Sequence, residues 1–98
     1  MIRHVVMFRW KPDTAAEDVD SVVARLQTMP ELIPEIREYR FGADLGINDA
    51  NWDFVVVADF ETADDYVTYR DDPRHRALVA EAIGPHLDER ASVQYEFA

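Results

Sequence analysis

Apolar and polar residues alternate from the first positions of the chain. In MIRHVVMFRW, Ile2, His4, Val6, Phe8 and Trp10 fall on one face of a strand, and Arg3, Val5, Met7 and Arg9 on the other. The even row holds the larger apolar groups and is predicted to be buried, which leaves one imidazole, His4, inside it. Lys11-Pro12 closes the strand, and TAAE opens a helix. There the Thr14 hydroxyl can accept from the amide three residues on while Glu17 reaches back, a capping box. Val19, Val22, Val23 and Leu26 recur at helical spacing and form one apolar stripe. Pro30 and Pro34 in MPELIPEI interrupt regular helix, so a short helical turn is predicted there, docking Leu32 and Ile33.

Ile36–Leu45 reads as a second strand, with Arg37, Tyr39, Phe41 and Ala43 on one face and Glu38, Arg40 and Gly42 on the other. GINDAN is a loop by composition. In WDFVVVADF, Trp52, Phe54, Val56, Ala58 and Phe60 share a face, yet Val55 and Val57 make the other face apolar too. A strand apolar on both sides is covered on both sides. The chain's own helices can supply one cover, and a partner subunit the other. Thr62 caps ETADDYVTYRDD, whose apolar side is Ala63, Tyr66 and Val67, with Tyr69 following Tyr66 by three. Pro73 suits the first turn of a third helix, PRHRALVAEAI, with Asp71 and Asp72 at its positive end and Gly84-Pro85 at its close. Ala77, Leu78, Ala82 and Ile83 are its inward positions. The last strand spans about Arg90–Phe97, with Ala91, Val93, Tyr95 and Phe97 alternating against Ser92, Gln94 and Glu96.

This order, β-α-β-β-α-α-β, predicts an α+β fold: a ferredoxin-like, four-stranded antiparallel sheet with helices on one face. Val5, Met7, Val55 and Val57 make the open face apolar, so two subunits packing these faces would close a dimeric α+β barrel. Residues 1–98 are expected to form a single domain, with the modest core of a short chain. Twenty acids against ten bases give a net charge of -10, a field that repels nucleic acid and anionic membranes. Cysteine is absent, which excludes disulfides, thiolate metal sites and a cysteine nucleophile. No apolar run approaches the ~20 residues of a membrane helix, and Arg3, His4 and Arg9 interrupt any signal-peptide core, so a cytoplasmic location is expected.

Four segments carry a family resemblance: HVVMFRWKP, MPELIPEIREYRFGADL, WDFVVVADFET and YRDDPRHRALV. Their most specific parts are the initial H-V-V, the I-P before the second strand, and Y-x-x-x-P-x-H. Together they resemble the stress-responsive A/B barrel (Dabb) family of dimeric α+β barrels along nearly the whole chain. The resemblance implies a homodimer with a pocket between sheet and helices. It also implies a candidate chemistry. A plant polyketide cyclase of the family performs an intramolecular aldol condensation with neither metal nor organic cofactor. It uses a tyrosine and a histidine from the Y-x-x-x-P-x-H region, which correspond here to Tyr69 and His75. The strand-one histidine corresponds to His4. A further pocket histidine on the cyclase's third strand corresponds to Phe54, so this pocket is less polar.

On that resemblance His75 is the base, Tyr69 its partner, and His4 a substrate-orienting group, with Tyr66, Phe54, Val6 and Phe8 lining the pocket. An imidazole with an ordinary pKa of about 6.5 suits proton removal next to a carbonyl, and a phenol can hold the enolate oxygen. Each residue also has a structural reading. His4 is then a core histidine bonded to a backbone carbonyl or a buried water, His75 a wet side chain in a first helical turn, and Tyr69 a core-edge aromatic. No H-x-x-x-H or H-E-x-x-H pair, G-x-S-x-G elbow or glycine-rich phosphate loop occurs. Neither a metal nor a cofactor is therefore expected. The enzymatic reading is acid/base chemistry on a small, largely apolar carbonyl compound; the non-enzymatic one is a stress-responsive or ligand-binding dimer.

Overall fold

The first strand lies inside the sheet, paired on both edges, so that its two faces define the two sides of the molecule. The computed structural model describes residues 1–98. Its strands are β1 (Ile2–Trp10), β2 (Glu38–Ala43), β3 (Phe54–Phe60) and β4 (Leu87–Glu96), in the antiparallel order β2-β3-β1-β4. Helices α1 (Ala16–Leu26), α2 (Met29–Leu32), α3 (Ala63–Asp71) and α4 (Pro73–Leu78) complete the fold. His4 stands opposite Ala58 of β3 and Gln94 of β4. On that side Val6, Phe8, Phe54, Val56, Ala58 and Phe60 are buried, against Val22 and Leu26 of α1, Leu78 of α4, and Ile33. Each large apolar side chain removed from water in this layer contributes about 1.5–3 kcal/mol.

Several local expectations are corrected. The α1 cap is Ala15, not Thr14. The Asp18 carboxylate, not Glu17, accepts from the Ala15 amide (2.9 Å), and the Thr14 hydroxyl is buried without a partner. Met29 is buried in the short helix beside Ile33, whereas Leu32 is exposed, because a single turn points only one edge inward. The second strand is shorter at both ends than Ile36–Leu45. The third begins at Phe54, since the Asp53 carboxylate takes the Trp10 amide (2.8 Å) and ends the ladder. In α3 the inward residues are Tyr66 and Tyr69, while Ala63 and Val67 are exposed. Thr62 does cap α3, accepting from the Asp65 amide at 3.1 Å.

The predicted third helix is two pieces, α4 and a π-helical turn at Val79–Ile83, and a 3-10 turn at Gly84–His86 follows at its predicted close. β4 starts at Leu87, earlier than expected. Its apolar row, Ala91, Val93 and Tyr95, lies opposite Met7, Val5 and Arg3 on the open face. That face leaves Met7, Val93 and Tyr95 exposed. It also holds a paired charge: Arg3 donates twice to the buried Asp59 carboxylate, at 2.8 and 2.9 Å, and lies 4.4 Å over the Phe97 ring. The guanidinium holds the Asp59 carboxyl below its ordinary pKa.

Candidate functional site

The helix side of the sheet encloses a cavity of about 90 Å³ beneath α3 and α4. Its polar lining is His4 of β1, Tyr39 of β2, Tyr66 and Tyr69 of α3, and His75 of α4. Val6, Phe8, Leu26, Val56, Leu78 and Ile83 supply apolar wall, and Arg70 and Arg90 complete the lining. Local sequence explains the convergence. Even parity on β1 aims His4 at the helices, and the three-residue step from Tyr66 to Tyr69 keeps both phenols on the buried edge of α3. Asp72 then caps α4 by accepting from the Arg74 amide (2.8 Å), which turns the chain so that the first helical turn brings His75 over Tyr69.

The His75 and Tyr69 rings lie 4.1 Å apart and tilted by 33°. His75 Nδ1 is 3.1 Å from the Arg70 carbonyl oxygen. A carbonyl only accepts, so Nδ1 carries the proton and the neutral ring keeps the Nε2 lone pair free. Burial pushes the His75 pKa down, against smaller upward pulls from the Arg70 carbonyl and Asp72, and the ring is therefore neutral near pH 7. His4 Nδ1 accepts from Gln94 Nε2 at 2.8 Å, and its ring lies 4.8 Å from that of Tyr66 and 6.3 Å from that of Tyr69. Burial, with smaller help from the nearby His75 and Arg90, pushes its pKa down to about 4. The Tyr39 and Tyr69 hydroxyls are 2.8 Å apart. Burial raises both phenols, Tyr39 to about 12. Both are protonated, and because one donates to the other, one O–H of the pair is left over.

His4, Tyr69, His75, Tyr66, Val6 and Phe8 thus line one cavity. Phe54 does not. It is a core residue 6.3 Å from Phe8 and 5.8 Å from Trp10, and it borders a larger hollow of about 620 Å³ beside the open face of the sheet. That hollow has only Arg40 and Asp44 as ionisable lining. Tyr69 is likewise not a hydrogen-bond partner of His75: the two rings lie against each other at a tilt, and its hydroxyl pairs with that of Tyr39. His4 takes the Gln94 side chain as its partner at Nδ1, where the core reading has a backbone carbonyl or a buried water. Tyr39, Gln94, Arg70 and Arg90 were not singled out from the sequence. Tyr39 and Phe41 sharing one strand face was a visible signal, and so was the polar row of β4, but neither alone says which side the helices cover. No three His, Asp or Glu side chains converge as a metal site, and no helix is long and apolar enough to cross a membrane.

The family model for the stress responsive A/B barrel domain matches residues 2–97. The chain belongs to the stress-responsive A/B barrel (Dabb) family. Among solved structures, this Dabb chain is similar to a dimeric ferredoxin-like protein of unknown function from Thermobifida fusca. The two are 43% identical over 98% of this chain and 90% of that one, with a TM-score of 0.90. A dimeric protein of unknown function and ferredoxin-like fold from Bacteroides fragilis is 26% identical over 98% and 95% of the two chains, with a TM-score of 0.84. The hydroxynitrile lyase from Passiflora edulis shares the fold at 21% identity, covering 99% and 93%, with a TM-score of 0.86. No curated protein matches the chain by sequence.

Proposed function

We propose that residues 1–98 form a single Dabb domain that works as a homodimer. It binds the carbonyl end of a small, largely apolar compound between sheet and helices and removes a proton from the neighbouring carbon. The observation that carries this reading is the fixed tautomer of His75: its Nδ1–H is spent on the Arg70 carbonyl, and its Nε2 is left basic beside an apolar cavity. The C–H proton goes to Nε2, and the electron pair moves through the carbonyl to its oxygen. The O–H left over from the Tyr39–Tyr69 pair donates to that oxygen. His4, acceptor at Nδ1 and therefore donor at Nε2 when neutral, is a second group that orients the ligand. Neutral imidazoles and protonated phenols are the forms this step needs, and the burial of the site favours them. No cofactor enters the step. At about 90 Å³ the cavity is smaller than the apolar hole of about 150 Å³ that admits benzene, so it suits an end of a few heavy atoms rather than a whole polyketide.

The test follows hydrogen–deuterium exchange at the carbons flanking the carbonyl of 2-pentanone in D₂O, with chelator present. The native protein should accelerate exchange over buffer. His75→Ala and His75→Gln should each lose about 100-fold or more of that acceleration, as expected for removal of a general base. Unchanged exchange in both variants would overturn the assignment of the base. Saturable binding of 2-pentanone without exchange above buffer would make the protein a ligand-binding dimer instead.

A further inference from the structure

Four residues, Arg70, His75, Val79 and Arg90, line both the inner cavity and an outer basin of about 410 Å³. The basin adds Asp71 and Arg76 to its charged lining, so three guanidiniums face one carboxylate there. Asp71 is already engaged: it accepts from Arg70 at 2.9 and 3.1 Å and lies 3.4 Å from Arg76. Arg90 is different. Lys11 is the one lysine among ten bases, which leaves nine arginines. Seven of them are ion-paired, at 2.8 to 3.6 Å. Arg9 lies over the Trp52 ring at 4.6 Å. Arg90 has neither a carboxylate nor an aromatic ring against it, in a chain where acids outnumber bases two to one.

Its position follows from strand parity. Arg90 stands opposite Phe8, on the helix side of the sheet, in the row that continues through Ser92 and Gln94. That row is polar because the helices leave the edge strand β4 uncovered; it lines the cavity at Arg90 and reaches it through the Gln94 bond to His4. Arg90 lines the inner cavity together with His4 and His75, and its charge lowers the proton affinity of both imidazoles. A free, planar, two-pronged cation at the junction of a small apolar cavity and an open basin matches one carboxylate. With Asp71 close by, a single negative charge fits better than a dianion.

We infer that the ligand is an oxo monocarboxylate, its carbonyl end in the inner cavity and its carboxylate on Arg90 in the outer basin. This rests on the carbonyl reading of the cavity and adds the ligand's second group. It makes Arg90 a binding and specificity residue, not a proton-transfer group.

Three probes separate the two ideas: 4-oxopentanoate, its methyl ester, and 2-pentanone. Each is titrated into the native protein, Arg90→Gln and, as a surface control, Arg37→Gln. Calorimetry gives the affinity, and the His75 side-chain resonances report whether the ligand sits in the cavity. In the native protein 4-oxopentanoate should bind at least tenfold more tightly than its ester, and the advantage should shrink with added salt. Arg90→Gln should erase that advantage, so that 4-oxopentanoate and its ester bind alike; Arg37→Gln should keep it. If all three probes shift His75 but the carboxylate brings no gain, or if Arg90→Gln keeps the gain, the inference is wrong while the cavity reading stands. If no probe shifts His75, both are wrong.

Discussion

At the scale of single residues, the site is two imidazoles kept neutral by burial and a phenol pair kept protonated by the same means. This has a stability consequence with a defined sign. His4 titrates at 6.5 when unperturbed and at about 4 in the fold. Between those values the unfolded chain binds more protons than the native one, so stability is fully present above about pH 6.5 and falls as pH drops toward 4. The shift corresponds to about 3 kcal/mol. His75 is lowered too and acts in the same direction, and Asp59, also lowered, extends the loss to more acid pH. Urea unfolding at fixed protein concentration should show this fall between pH 6.5 and 4, and His4→Asn should flatten it. A flat native profile would contradict the buried neutral imidazole. Tyr39→Phe should cost about 1 kcal/mol for the lost hydroxyl pair and slow ketone exchange, because the Tyr69 hydroxyl then loses the neighbour that orients it.

The union of His4, Tyr69 and His75 in one cavity was legible in the sequence, through strand parity for His4 and the Y-x-x-x-P-x-H block for the other two. Phe54 was placed in the pocket by the resemblance alone. It shares a face with His4 but pairs with Phe8, at the other end of β1, and its ring lies outside the cavity. Arg90 and Gln94 were not legible, because an exposed polar row on an edge strand looks the same whether or not its inner edge reaches a cavity.

Among the elements, the run from α4 through the π turn to the 3-10 turn is the cavity's most specific wall. Val79 begins the π turn and Ile83 ends it, and both line the cavity. Nothing in VAEAI marks the widened turn, since its residues suit an ordinary helix, and tertiary packing decides the matter. Gly84, which follows, shows the constraint. Its backbone is helical, at φ -53 and ψ -42, a conformation in which Gly→Ala usually stabilises by reducing unfolded-chain entropy. A Cβ there would lie 3.0 Å from the Val79 carbonyl oxygen. Gly84→Ala should therefore destabilise, by about 1 kcal/mol, and weaken 2-pentanone binding as the turn shifts; thermal unfolding and calorimetry check the two effects. A stabilised variant would show that the turn yields freely. The α1 cap teaches the same lesson on a smaller scale. Both Thr14-to-Glu17 and Ala15-to-Asp18 offer a carboxylate three residues on, and the register that buries Val22 and Leu26 selects the second.

For the molecule as a whole, the sheet divides two tasks. The helix side holds the cavity, and the open side presents Val5, Met7, Val55, Val57, Val93 and Tyr95 around the Arg3–Asp59 pair. The fold class was legible from the order of elements, and the apolar open face from β3, which is apolar on both sides, as a lone two-layer subunit does not explain. Light scattering at micromolar concentration should give twice the 11.3 kDa chain mass. Val57→Asp and Met7→Asp should reduce it to one chain or unfold the protein, because a carboxylate would be buried without a partner. A native monomer would remove the closed barrel from the account.

The central claim is that His75 presents a free basic Nε2 to the cavity. A two-bond ¹H–¹⁵N correlation spectrum of the side-chain imidazoles at pH 7, recorded without and with 2-pentanone, tests it most directly. His75 should be neutral and protonated at Nδ1, with an unprotonated Nε2 whose resonance moves on adding the ketone. A His75 protonated at Nε2, or a charged ring indifferent to the ketone, would contradict it.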